Sequence, residues 1–175
     1  GWYLRQDIIW HKPNPMPENV KDRCTKSHEY IFLLSKSRKY YYDHKAIEEE
    51  AVGERWGKNT PINMDNTKDL ENQFNGLTRP RKMLYKTRNK RSVWTVTPKP
   101  FKGAHFATFP EKLIEPCILA TTKKNDYILD PFSGAGTTGL VAGKNDRNTI
   151  LIELNKQYAE MSRERLSGYI DNHLT

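Results

Sequence analysis

The stretch from Tyr127 to Gly139, YILDPFSGAGTTG, decides how the rest of this chain is read. It begins as an apolar run of strand length, Tyr127 to Leu129, ends in an acid, Asp130, and breaks into a glycine-rich turn. A helix is predicted from about Thr137, a second strand over Thr149 to Ile152 and a last helix from about Lys156 to Leu166. Strand, helix, strand, helix in succession predicts an α/β sheet with parallel pairing.

Gly134, Gly136 and Gly139 satisfy G-x-G-x-x-G, and Glu153 follows Gly134 by 19 residues. Taken alone this matches a dinucleotide-binding turn, with the second acid on the ribose. Charge argues otherwise. A pyrophosphate over the turn would be repelled by Asp130, and four residues, Asp-Pro-Phe-Ser, separate the strand from the first glycine. S-adenosylmethionine (AdoMet) carries an ammonium and a sulfonium in place of phosphate, so an acid at the mouth of the turn becomes favourable. On this reading Asp130 faces the methionine end, Gly134 and Gly136 let the backbone approach closely, and Glu153 accepts the ribose hydroxyls. The competing structural reading has Asp130 capping its own turn and Glu153 solvated.

Working outward, FATFPEKLIEPCI predicts a helix with capping-box spacing between Thr108 and Glu111, and Pro110 suits its first turn. Leu113, Ile114, Cys117 and Ile118 fall on one face, while Pro116 should kink or shorten the helix. Near the start, YLRQDIIW (3–10) predicts a strand running into the proline loop HKPNPMPENV. The apolar run YIFLL (30–34) reads as a strand covered on both faces, and KYYYD (39–43) as its hairpin partner.

Residues 44–100 differ in composition, being polar and rich in Asn, Lys and Arg, and predict an irregular insertion on a core formed by 1–43 and 101–175. The chain has 175 residues, 29 Lys or Arg against 21 Asp or Glu, and a formal charge of +8. That charge is segregated. Arg79 to Lys102 holds nine basic residues and no acid, whereas Asp43 to Glu54 is mainly acidic. A basic run of this kind points to phosphate contacts, and a solvated loop is the plainer alternative. No apolar stretch approaches the roughly 20 residues of a membrane span. Two cysteines, Cys24 and Cys117, exclude a disulfide framework and fit a reducing compartment. His28, His44 and His173 show no paired ligand spacing, so no metal is expected.

Asp130 to Gly139, DPFSGAGTTG, together with IELN (152–155), resembles the AdoMet motifs of the amino-directed DNA methyltransferases, which modify adenine N6 or cytosine N4. QDIIWHKPNPMPENVKDRCTKSHEYIFLLSKSRKYYYD and GAHFATFPEKLIEPCI resemble two further blocks of that family, in its order, and the likeness covers about two thirds of the chain. The resemblance implies a Rossmann-like methyltransferase sheet, with YIFLL and KYYYD as its last strands and 44–100 as target-recognition insertion. It implies AdoMet as cofactor, held by Asp130, Pro131, Phe132, Gly134, Gly136, Thr137 and Glu153, with His105, Phe106 and Phe109 bordering the methionine side. Double-stranded DNA is the implied partner, touched by Lys12, Arg79, Arg81, Lys82, Lys86, Arg88, Lys90 and Arg91. A cytoplasmic setting, a homodimer and a companion restriction endonuclease also belong to this expectation.

The family's catalytic motif, an Asp, Ser or Asn followed by Pro-Pro and an aromatic residue, has no counterpart, since no Pro-Pro pair occurs. Asp130-Pro131-Phe132 comes nearest but runs into the glycine turn. The motif order is that of the permuted class, so the catalytic strand and the missing sheet strands are expected upstream of Gly1. Trp10 is a candidate for the base pocket, with ordinary packing as its alternative. A noncatalytic nucleic-acid-binding module and an NAD-dependent oxidoreductase are the remaining readings.

Overall fold

The computed structural model describes residues 1–51, 87–98 and 108–173, with side chains up to Gly168. It divides into two compact units, Gly1–Ile47 with Arg91–Thr175, and Glu48–Lys90. These limits fall inside the 44–100 span drawn from composition, because Lys45–Ile47 forms a 3-10 turn with Ile47 buried and Val93–Thr95 joins a sheet of the first unit.

In that unit strand β1 (Tyr3–His11) pairs antiparallel with β2 (His28–Ser35). In the second unit β3 (Glu49–Glu50) pairs with β4 (Thr87–Arg88). Strand β5 (Val93–Thr95) pairs parallel with β1, giving a sheet of order β2-β1-β5. Helix α1 (Glu111–Thr121) is followed by β6 (Tyr127–Asp130), α2 (Thr137–Lys144), β7 (Asn148–Leu151) and α3 (Lys156–His173). Strands β6 and β7 pair in parallel, Asp130 opposite Leu151, as the strand and helix succession requires.

Several expectations are corrected. YIFLL takes β1 as its hairpin partner, and KYYYD forms no strand. The tyrosine segment is spent on α1 instead: Asp43 N–H donates to the Ala120 carbonyl at 2.8 Å, and the Asp43 carboxylate caps Lys45 and Ala46 at 3.1 Å each. Burial, and then neighbouring Tyr40 and Cys117, push the Tyr42 phenol above its ordinary range. Nor is YIFLL covered on both faces, since Tyr30, Phe32 and Leu34 are exposed on its outer side. The capping box is not made, because Pro110 is the N-cap of α1 and no side chain caps it. Pro116 does not end the helix; the carbonyl it deprives of a donor is that of Lys112, an exposed residue.

Two apolar clusters hold this unit together. Ile8, Trp10, Trp94 and Leu113 form one, with Phe109 and Cys117 packed against it. Ile118, Val141 and Ala142 form the other, joined by Ile114 and Ile128. Helix α1 supplies residues to both, so it couples the two sheets. The Trp10 indole donates to the Val96 carbonyl at 2.7 Å, which fixes the segment after β5 against β1.

One face of the β6–β7 pair is left bare: Tyr127, Leu129, Ile150 and Ile152 are exposed. Parallel strands are ordinarily covered on both faces, so the sheet as seen is one layer short. Val141 is 1% exposed. Val141→Ala should therefore lower stability by about 2 kcal/mol, read from the midpoint of urea denaturation at unchanged slope.

Candidate functional site

The carboxyl ends of β6 and β7 lie side by side, and the chain between Asp130 and α2 folds over them. Ile152 N–H donates to the Asp130 carbonyl at 2.9 Å and Ser133 N–H to the Ile152 carbonyl at 3.0 Å. The turn closes where Gly136 N–H meets the Ser133 carbonyl at 2.8 Å. Both glycines are left-handed, Gly134 at φ 50° and Gly136 at φ 73°.

The three glycines have different reasons. A Cβ on Gly136 would sit 2.2 Å from Ser162 Oγ, so α3 packs directly on the turn. A Cβ on Gly139 would sit 2.7 Å from Leu151 Cδ1, so α2 lies close on β7 and α3. Among the described residues, a Cβ on Gly134 would meet nothing within 4 Å. At that position the glycine answers to backbone sign and leaves its open side clear for a ligand.

Both acids are tied into the turn. Asp130 Oδ1 accepts from Phe132 N–H at 3.1 Å, and Oδ2 from the Thr138 hydroxyl at 2.6 Å. Glu153 Oε2 accepts from Gly134 N–H at 2.8 Å, and Oε1 from Asn155 N–H at 2.8 Å. Asp130 therefore does cap its own turn, and Glu153 is half-buried and engaged. Each carboxylate oxygen accepts one of these bonds and retains a second lone pair for a ligand. Thr138 and Asn155 lie inside the motifs DPFSGAGTTG and IELN, but the sequence assigns neither of them a role. Asn155 also accepts from Gln157 N–H at 2.9 Å, capping α3, and its place between Glu153 and a helix is a signal the sequence carries.

A cavity of about 420 Å³ runs from Asp130 and Thr138 along β6 to Tyr127, walled on its other side by α1 and Phe109. Of the predicted donor-site residues, Asp130 and Phe109 line this cavity, whereas Gly134, Gly136, Thr137 and Glu153 are joined to Asp130 by the turn and are not among the lining residues. Pro131 and Phe132 lie on the exposed rim of the turn, Phe132 at 88% exposure. Phe109 is half-buried in the cavity wall. His105 and Phe106 fall outside the described residues. Among the described residues no cluster could hold a metal ion, and no helix is long and apolar enough to cross a membrane.

The predicted DNA contacts are more scattered. Lys12 pairs with Glu29 and lies 4.4 Å from the Trp10 ring, and Trp10 itself is buried in the core. Arg88 pairs with Glu49 at 2.9 Å on the β3–β4 ribbon. Arg91 is exposed and Lys90 half-buried, whereas Arg79, Arg81, Lys82 and Lys86 fall outside the described residues.

This arrangement of turn, acids and strands coincides with a match over residues 1–164 to the N6/N4 family model described as DNA methylase. The chain belongs to the N6/N4 DNA methylase family. It is 49% identical over 168 residues to the type II methyltransferase M.Cfr9I of Citrobacter freundii, covering 96% of this chain and 46% of that protein. With M.XycI of Xanthomonas campestris pv. cyanopsidis it shares 46% identity over 172 residues, covering 98% of this chain and 47% of the relative. The chain thus spans about half the length of the curated relatives it matches. Among solved structures it is similar to the M1.HpyAVI–SAM complex, with TM-score 0.61, 26% identity, and coverage of 95% of this chain and 63% of that one. The PvuII cytosine-N4-specific DNA methyltransferase superposes with TM-score 0.65 at 21% identity, over 94% of this chain and 51% of that one, a likeness of fold. The expected Rossmann-like methyltransferase architecture is therefore the one this N6/N4 methylase chain adopts, in sheets that are incomplete.

Gly136→Ala should cost the methylase chain about 2–4 kcal/mol, combining left-handed strain with the overlap on Ser162. Adding Ser162→Ala should recover only part of that in denaturation midpoints, because Ser162 Cβ would still stand at 3.1 Å.

Proposed function

We propose that the protein carrying this chain is a site-specific DNA methyltransferase that moves a methyl group from AdoMet to the exocyclic amino group of adenine or cytosine. The chain supplies the donor-binding turn and part of the DNA-binding surface. One observation carries this reading: two carboxylates stand at adjacent strand ends beside Gly134, where a Cβ would meet no atom of the described residues within 4 Å. Membership of the N6/N4 methylase family, and a similar structure described as a SAM complex, support it.

The residues present fit that donor. Bound there, AdoMet would supply an activated methyl on a cationic sulfur. Asp130 offers its free lone pairs to the cationic methionine end, and Glu153 offers the second lone pair of each oxygen to the ribose hydroxyls. Phe132 presents an exposed ring at the rim, and Phe109 forms the apolar wall. Gly134 N–H is already committed to Glu153, so it is not offered to a phosphate, which argues against a dinucleotide. Asp130-Pro131-Phe132 belongs to the donor turn on this reading, since both Asp130 oxygens are engaged inside it. Accepting hydrogen bonds from the target amine would fall to residues outside this chain.

Residues 44–100, with the basic run through Arg91, take the part of target-recognition insertion, with double-stranded DNA as partner. A companion restriction endonuclease and a cytoplasmic setting accompany this reading, supported by relatives named type II methyltransferases. The bare faces of β2 and β6–β7 would be covered by the remainder of a methyltransferase core.

Calorimetry of the full-length protein should register AdoMet and its demethylated product, S-adenosylhomocysteine, and give no heat with NAD. Asp130→Asn, nearly isosteric, should weaken AdoMet about tenfold or more through loss of one charge partner. Binding of NAD alone would defeat the reading. For DNA, replacing Arg81, Lys82 and Lys86 with Ala should lower affinity across all sequences and reduce the salt slope by about 0.9 for each phosphate left without its cation. An unchanged slope would remove the basic run from the DNA surface.

A further inference from the structure

Arg165, on α3, has no part in the donor contacts set out above, yet its guanidinium reaches three elements at once. Nη1 donates to the Ala135 carbonyl and to the Thr137 hydroxyl oxygen, each at 3.1 Å. Nη2 lies 3.4 Å from Glu111 Oε1, and the other oxygen of Glu111 takes Lys144 Nζ at 2.6 Å. The Arg165 side chain is only 19% exposed.

Ala135 is the residue between the two left-handed glycines, and it is itself buried. The orientation of the peptides on either side of it sets where Gly134 points its N–H, toward Glu153, and where its open side faces. A guanidinium can hold a carbonyl and a neighbouring hydroxyl together because its donors lie in one rigid plane. A lysine ammonium carries the same charge on a flexible stem without that fork.

We infer that Arg165 is a positioning residue for the donor site, fixing the Gly134–Thr137 backbone so that Glu153 and the open side of Gly134 meet the nucleoside in register. The inference rests on the donor-site reading proposed above. It separates cleanly from a purely architectural role, in which Arg165 only pairs with Glu111 to hold α3 against α1. Glu111→Gln removes that ion pair and leaves the bonds to Ala135 and Thr137. Arg165→Lys keeps a positive charge beside Glu111 and loses the fork.

The test uses the full-length protein, with AdoMet and S-adenosylhomocysteine affinities from calorimetry, melting temperature, and KM for DNA. Arg165→Lys is expected to weaken both nucleosides about tenfold, with KM for DNA held within about twofold. Glu111→Gln is expected to lower the melting temperature while keeping AdoMet affinity within about twofold. Thr137→Val, which removes one acceptor of the fork without touching Arg165, is expected to weaken AdoMet in the same direction, with Thr137→Ser restoring it. Wild-type affinity in Arg165→Lys, or parallel losses of affinity and melting temperature in Arg165→Lys and Glu111→Gln, would overturn the inference alone. Failure of the wild-type protein to take either nucleoside would overturn the donor-site reading itself.

Discussion

A turn that must pass twice through left-handed backbone has to satisfy its donors without a helix or a sheet to do so. In this chain Glu153 takes Gly134 N–H, and Asp130 takes Phe132 N–H and the Thr138 hydroxyl. The same two acids are therefore struts of the fold and candidate ligands of the site. Each strand places its carboxylate by ending there: β6 stops at Asp130, and β7 stops two residues before Glu153. Parallel pairing brings the two ends together, so the site depends on the register of Asp130 with Leu151.

Among the described residues, support for that register comes from helices on one side. Gly139 lets α2 settle onto Leu151, Gly136 lets α3 settle onto the turn through Ser162, and α1 ties this pair to the other sheet through Ile118 and Leu113. Arg147 completes the far end, donating to the Thr122 carbonyl at 2.9 Å where α1 finishes. The turn is thus gripped from below by packing and from the side by hydrogen bonds.

The parts of this fold legible in the sequence are those set by local pattern. The apolar run, acid, glycines and second acid at fixed spacing predict β6, the turn, α2 and β7 within a residue or so, because strand ends and positive φ are written in residue type. KYYYD misleads because three tyrosines before an acid satisfy strand propensity, while its actual partner, the Ala120 carbonyl, lies far along the chain. YIFLL suggests double cover because an unbroken apolar run does not say which face is packed. Thr108 and Glu111 have capping spacing, but Pro110 takes the cap position. Arg165 is invisible to spacing, since the groups it joins come from three separate elements. Thr138, eight residues after Asp130, is hidden for the same reason on a smaller scale.

The uncovered aromatic and aliphatic side chains have a practical meaning for whoever handles this polypeptide. Tyr30 and Phe32 stack with centroids 6.0 Å apart on one outer surface, and Leu129 and Ile150 stand opposite each other on another. In water such surfaces adhere to one another, so this stretch kept by itself in a tube should be colloidally unstable despite its charge of +8. Low concentration and added salt would then work against each other, since salt that screens the repulsion also strengthens the adhesion.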